Sequence, residues 1–141
     1  MWPKDFHDRL VEWNALRTRC MTMPLEQCLV SVDQWWSSAP WRCYYLHMDD
    51  WSTWPTPWEL LADNVFCDLA RCLGIVYTLM LVEHPEITTM EMTETDVGNL
   101  VLVNHGKYIL NWDHGSLLNI SFPQITITKT LDSSKIKHIL G

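Results

Sequence analysis

The chain has 141 residues and a formal charge of −7, with 48% hydrophobic and 19% charged residues. That is one domain with enough apolar content to bury a core, which excludes intrinsic disorder and any dependence on disulfide or metal staples. The acidic balance leaves no broad basic face for phosphates, so nucleic acid is not an expected partner.

Helical signals fill residues 1–82. Pro3 suits a first helical turn, and Asp5 and Asp8 suit the positive end of the dipole. Phe6, Leu10, Trp13 and Arg17 share a stripe with Leu16 beside it, so a helix is expected over residues 3–17. A second helix is expected over 24–37, capped by Thr22 or Met23. Leu25, Cys28, Leu29, Val32 and Trp36 form its apolar face, and Ala39-Pro40 stops it. Residues 41–54 read as an aromatic loop. Thr56 as N-cap, Pro57 in first position and Glu59 in the first turn predict a short helix over 57–62. Asp63-Asn64 then mark a break and a new cap. A nearly all-apolar helix follows over 65–82, and such a helix belongs at the centre of a fold. Gly74 inside it is either a weak point or the mark of a close neighbour.

The connection over 83–98 carries Glu83, Glu86, Glu91, Glu94 and Asp96 and no Lys or Arg. It reads as solvated, with a short edge strand at 87–92. Beyond it the period is that of strands. Segments 99–103 and 107–112 flank the turn signal Asn104-His105-Gly106, and segments 117–122 and 124–131 continue a meander. The tail, 132–141, is weakly amphipathic through Ile136, Ile139 and Leu140. With Lys135 and Lys137 it reads as a surface tail or a docking segment. Helices first and strands afterwards predict an α+β domain: N-terminal helices and a central buried helix packed on a C-terminal antiparallel meander.

The five cysteines (Cys20, Cys28, Cys43, Cys67, Cys72) are odd in number and contain no C-x-x-C. Free thiols in a reducing compartment are expected, with no metal and no cofactor. Neither a signal peptide nor a membrane-spanning run is legible. With Asn64 as a cap, Cys67 falls in the first turn of the central helix, where unpaired N–H groups favour a thiolate. A cysteine nucleophile also needs a histidine base and a group to orient it.

Pro57-Trp58-Glu59-Leu60-Leu61, followed by Cys67-Asp68-Leu69-Ala70 and Gly74-Ile75, resembles the nucleophile region of transglutaminase-like and papain-like cysteine folds. The resemblance implies a central helix carrying the cysteine, packed on an antiparallel sheet carrying a histidine and an Asp or Asn. Gly106-Lys107-Tyr108-Ile109-Leu110-Asn111 is similar to the strand that ends in the orienting residue, which implies that role for Asn111. The family's histidine position falls on Val97, whose neighbours Asp96, Gly98 and Asn99 are not histidine either. The approach Asn64-Val65-Phe66 lacks the family's glycine. His105, in the hairpin turn, is the nearest substitute base, and His114 the next.

Six of the nine tryptophans (Trp35, Trp36, Trp41, Trp51, Trp54, Trp58) fall between residues 35 and 58. Around Pro55 and Pro57 the backbone is stiff, and large rings on a stiff loop make good contact area. Trp51, Trp54, Pro55, Pro57 and Trp58 therefore read as a docking surface for other protein subunits, as a seal over the central helix, or as a carbohydrate platform. Asp49-Asp50 fits cation ligation or an ordinary cap. Trp54-Pro55-Thr56-Pro57-Trp58-Glu59-Leu60 also resembles small virion proteins of tailed phages. The function expected first is a structural or assembly protein in an oligomeric setting. It would be a virion component of a phage tail, neck or baseplate, found in the virion or host cytoplasm, on a transglutaminase-like scaffold without a working triad. The alternative is a cysteine hydrolase or acyltransferase with Cys67 as nucleophile, His105 as base and Asn111 as orienter. A carbohydrate-binding module is the third.

Overall fold

The computed structural model describes residues 2–41, 46–64, 66–96, 98–113, 116–118 and 126–140. Four helices come first: α1 (Phe6–Cys20), α2 (Leu25–Ser37), α3 (Pro57–Asp63) and α4 (Asp68–Val82). Five strands follow: β1 (Met90–Thr95), β2 (Gly98–Val103), β3 (Tyr108–Asp113), β4 (Ser116–Leu118) and β5 (Ile127–Asp132). Short 3₁₀ segments cover Met48–Thr53 and Ser133–Leu140. The antiparallel sheet has the order β4-β3-β2-β1-β5.

Alpha4 is central because its sequence leaves it no solvated face: every residue from Cys72 to Leu79 is buried. The three other helices contact it, and β1, β2 and β3 do so from the sheet. The sheet gives α4 the alternate side chains of one face, Met90 and Met92 from β1, Val101 and Val103 from β2, Tyr108 and Leu110 from β3, all in the same core cluster. Gly74 is the close-packing glycine. A Cβ there would stand 2.5 Å from Trp36 Cζ3, so the indole occupies the place of a side chain. Thr78 lies beneath the same indole. Its Oγ1 accepts from Trp13 Nε1 at 2.8 Å and Trp36 Nε1 at 2.9 Å, and donates to the Gly74 carbonyl at 2.7 Å.

Local chemistry sets the helix ends. Asp5 caps α1, and Thr56 with Glu59 makes a reciprocal capping box on α3: Glu59 N–H donates to Thr56 Oγ1, and Thr56 N–H to Glu59 Oε1. That second bond holds the Glu59 carboxyl below its ordinary range. A carboxyl depressed in the fold adds stability above its unfolded value, about 4.3, and loses it as pH falls through the folded value. The stability difference between the native chain and Glu59→Gln, from urea unfolding, should therefore shrink on acidification from about pH 5 downward. A difference independent of pH would remove the charged bond from the cap.

Several expectations are corrected. Helix α1 runs on to Cys20 and buries Arg9, Trp13, Leu16 and Cys20, while Phe6 of the expected stripe is 37% exposed. The Arg9 guanidinium is buried because carbonyls surround it: Nε donates to Leu61, and Nη1 to Pro3 and Lys4. The acidic connection holds an interior strand, not an edge one, since β1 lies between β2 and β5. The meander therefore breaks after β4, and β5 returns to the far edge to pair with β1. The tail docks on the core, with Ile136 and Ile139 buried and Lys135 and Lys137 exposed. The tryptophans mainly make core: Trp2, Trp35, Trp36 and Phe66 form one aromatic cluster, Trp54 is buried, and Trp51 is half-buried. Pro57 is buried and Pro55 half-buried, which leaves Trp58, 43% exposed, as the open member of the expected docking surface.

Candidate active site

Asn64 does not start the central helix. It ends α3 in the left-handed region (φ 55°), and α4 begins after Cys67, which is itself the N-cap. The Cys67 sulfur accepts from the Ala70 N–H at 3.4 Å, so the side chain faces the free amide groups of the first turn. Cys67 is 6% exposed and opens on a cavity of about 360 Å³ with Trp41, Leu46, His47, Asp68, Glu94 and Asn99 among its walls.

The other described thiols are buried without such a setting. Burial and the Asp68 carboxylate hold Cys72 well above its ordinary value, and contact with Cys20 followed by burial raises Cys28. Cys43 lies outside the described residues.

Asp68 joins the helix start to the sheet. Its Oδ2 accepts from the Asn99 N–H at 2.5 Å and its Oδ1 from Asn111 Nδ2 at 2.7 Å. Asn111 also donates to the Asn99 carbonyl at 2.9 Å, and its own N–H donates to Asp33 Oδ1 at 3.0 Å. Asn111 has φ 65°, where the β3–β4 register shifts. Asparagine tolerates that left-handed backbone better than most side chains, so the geometry gives the residue a local reason to be there. The structure thus brings Asn111 to the first turns of α4, with its side chain engaged by Asp68, Asn99 and the Cys72 sulfur and no bond to Cys67 among the described contacts.

His105 is not brought to Cys67. It sits in the β2–β3 turn, where its N–H donates to Thr89 Oγ1 just beyond the far end of α4. Cys67 caps the opposite end, and a 15-residue helix spans about 22 Å at 1.5 Å per residue. The expected Cys67–His105 pair is therefore separated by the length of the central helix. His114 lies outside the described residues. His84 is used structurally, with Nε2 on the Met23 carbonyl and Nδ1 accepting from the Glu86 N–H.

The histidine that shares the cavity is His47, which sequence reasoning passed over. Its loop is tied down by long-range contacts. Trp54 Nε1 donates to the His47 carbonyl at 2.9 Å, Tyr77 Oη of α4 to the Pro55 carbonyl at 2.7 Å, and Trp41 bridges Phe66, the residue before Cys67. No group of three His, Cys, Asp or Glu side chains placed to hold a metal occurs among the described residues, and none of their helices is long and apolar enough to cross a membrane.

No protein-family model matches the chain, and no curated protein matches it. Among solved structures it is similar to Legionella pneumophila LapG, with a TM-score of 0.71 and 15% identity over 92% of this chain and 77% of that one. At that identity the likeness concerns the fold. The helices packed on an antiparallel sheet have the LapG-like α+β fold.

Proposed function

We propose that the chain carries out thiol-dependent acyl transfer, as a hydrolase or acyltransferase, with Cys67 as nucleophile and His47 as its proton acceptor. The observation that carries this reading is one cavity lined by both Cys67, the N-cap of the central helix, and a histidine, His47. A thiol at that position meets the positive end of the helix, and a neighbouring histidine supplies the base that nucleophilic attack requires. The sulfur attacks an acyl carbonyl, His47 takes the thiol proton, the leaving group departs with a proton, and water or an amine resolves the thioester. The free amide groups at the start of α4 suit the charge on the carbonyl oxygen.

The test uses p-nitrophenyl acetate and iodoacetamide on the whole chain. Cys67 should acquire the acetyl or carbamidomethyl group ahead of Cys20, Cys28 and Cys72, as located by peptide mass spectrometry. His47→Gln should slow acetylation about a hundredfold near neutral pH. Labelling of Cys67 no faster than of the three buried thiols, or a rate indifferent to His47→Gln, would refute the assignment.

A second reading is favoured by Asn99 and Asn111. These are the sheet residues bound to the start of α4, and neither takes or releases a proton. On it the chain keeps the fold and serves as a docking subunit of a larger assembly, with exposed Trp41 and Trp58 as contact area. Its virion form rests on the resemblance of residues 54–60. Slow labelling of Cys67 is the result that reading expects.

A further inference from the structure

We infer that the cavity beside Cys67 selects substrates by a basic side chain, lysine or arginine, next to the acyl group, through Asn99 and Glu94. The inference rests on the thiol reading above and adds its substrate class. The carboxylates of the cavity wall, Asp68 and Glu94, share one sign. Asn99 Oδ1 is buried and has no hydrogen-bond partner among the described residues, although the backbone N–H and carbonyl of the same residue are both engaged. A buried carbonyl oxygen without a donor is costly, so whatever fills the cavity is favoured if it brings an N–H.

Glu94 is the direct cross-strand partner of Asn99, so both side chains leave the sheet on the same face; Glu94 lines the cavity while its Oε1 accepts from Thr128 Oγ1 of β5 at 2.9 Å. Asp68 adds a second negative charge, with its oxygens taken by Asn99 and Asn111. Lys129 is opposite Glu94 on β5, but its ammonium lies 2.7 Å from both carboxylate oxygens of Asp49, which draws its charge to that pair. Neither lysine nor arginine is among the described residues lining the cavity. An adjoining cavity of about 390 Å³, sharing Leu46 and His47, continues the same sign with Asp50, Glu59 and Asp63. Charge of one sign in a cleft with apolar walls concentrates ligands of the other. Trp41, 57% exposed on the cavity wall, offers an indole to the stem or charge of a basic side chain.

Alkylation with three reagents tests this on the whole chain: 2-bromoethylammonium (cationic), iodoacetamide (neutral) and iodoacetate (anionic), with Cys67 followed by peptide mass spectrometry. The cationic-to-neutral rate ratio at Cys67 should exceed that of a free cysteine peptide about tenfold. It should fall with added salt, and Glu94→Gln or Asn99→Ala should bring it most of the way back to the peptide value. A peptide-like ratio with rapid iodoacetamide labelling overturns the basic-substrate inference and leaves the thiol reading standing. Failure of iodoacetamide to label Cys67 ahead of the buried thiols overturns both.

Discussion

Thr78→Val should destabilise the chain by about 3–4 kcal/mol, measured by urea unfolding, although it preserves size and branching. The fully buried Thr78 hydroxyl accepts two indole N–H groups, from Trp13 on α1 and Trp36 on α2, so one oxygen ties both helices to α4. Replacing it by a methyl leaves two buried donors without a partner, at about 1–3 kcal/mol each. Thr78→Ser is the control. It keeps the oxygen and removes one buried methyl, worth about 1 kcal/mol. The valine variant should therefore be clearly the weaker of the two, and near-ultraviolet circular dichroism should report altered indole packing in it alone. Equal losses would mean that the hydroxyl contributes little and that Trp13 and Trp36 are held by packing. Against a total stability of about 5–15 kcal/mol, the expected loss is large enough to lower the yield of folded chain at body temperature.

The elements legible in the sequence are those decided by neighbours in the chain. Thr56, Pro57 and Glu59 write the start of α3 within four residues: Thr56 is the N-cap and Pro57 opens the helix as expected, and Glu59 goes further by closing a capping box with Thr56. Asn104-His105-Gly106 likewise makes the β2–β3 turn, with all three residues at positive φ. The all-apolar run of α4 predicts its central place, and Gly74 predicts a close neighbour, which is Trp36. What escaped was decided by distant partners. A strand is expected at 87–92, but the interior place of β1 and its extent over Met90–Thr95 come from pairing on both edges, which its methionines and glutamates do not signal. The tail looked like surface because only Ile136 and Ile139 mark its buried side. In the site, Cys67 at a helix start was readable, though Asn64 hid that the cysteine itself is the cap. His47 gave no signal, because its place in the cavity depends on contacts from Trp54, Tyr77 and Phe66 rather than on the residues around it.

Asp68→Ala is expected to cost about 3–5 kcal/mol and to loosen the same end of the molecule that holds the cavity. The carboxylate accepts one bond from β2 and one from β3, and hydrogen bonds to a charged group contribute about 1.5–3 kcal/mol each. It is also the first residue of α4, where a negative charge adds about 0.3–1 kcal/mol through the helix dipole. Its loss frees the Asn111 amide, which then keeps only the Asn99 carbonyl and the Cys72 sulfur as acceptors. Asn111 is already in a left-handed backbone at the register shift, so β3 is the strand expected to fray. Asp68→Asn separates charge from shape. Its single carbonyl oxygen replaces one of the two acceptors, and its amide meets the other donor, so it should lose roughly half as much. Hydrogen exchange gives the spatial reading: in the alanine variant protection should drop at Asn99 and Asn111 before it drops at Val101 and Val103. A uniform loss of protection across the sheet, or an asparagine variant as weak as the alanine one, would mean that Asp68 contributes bulk charge at the helix end and no specific joint between helix and sheet.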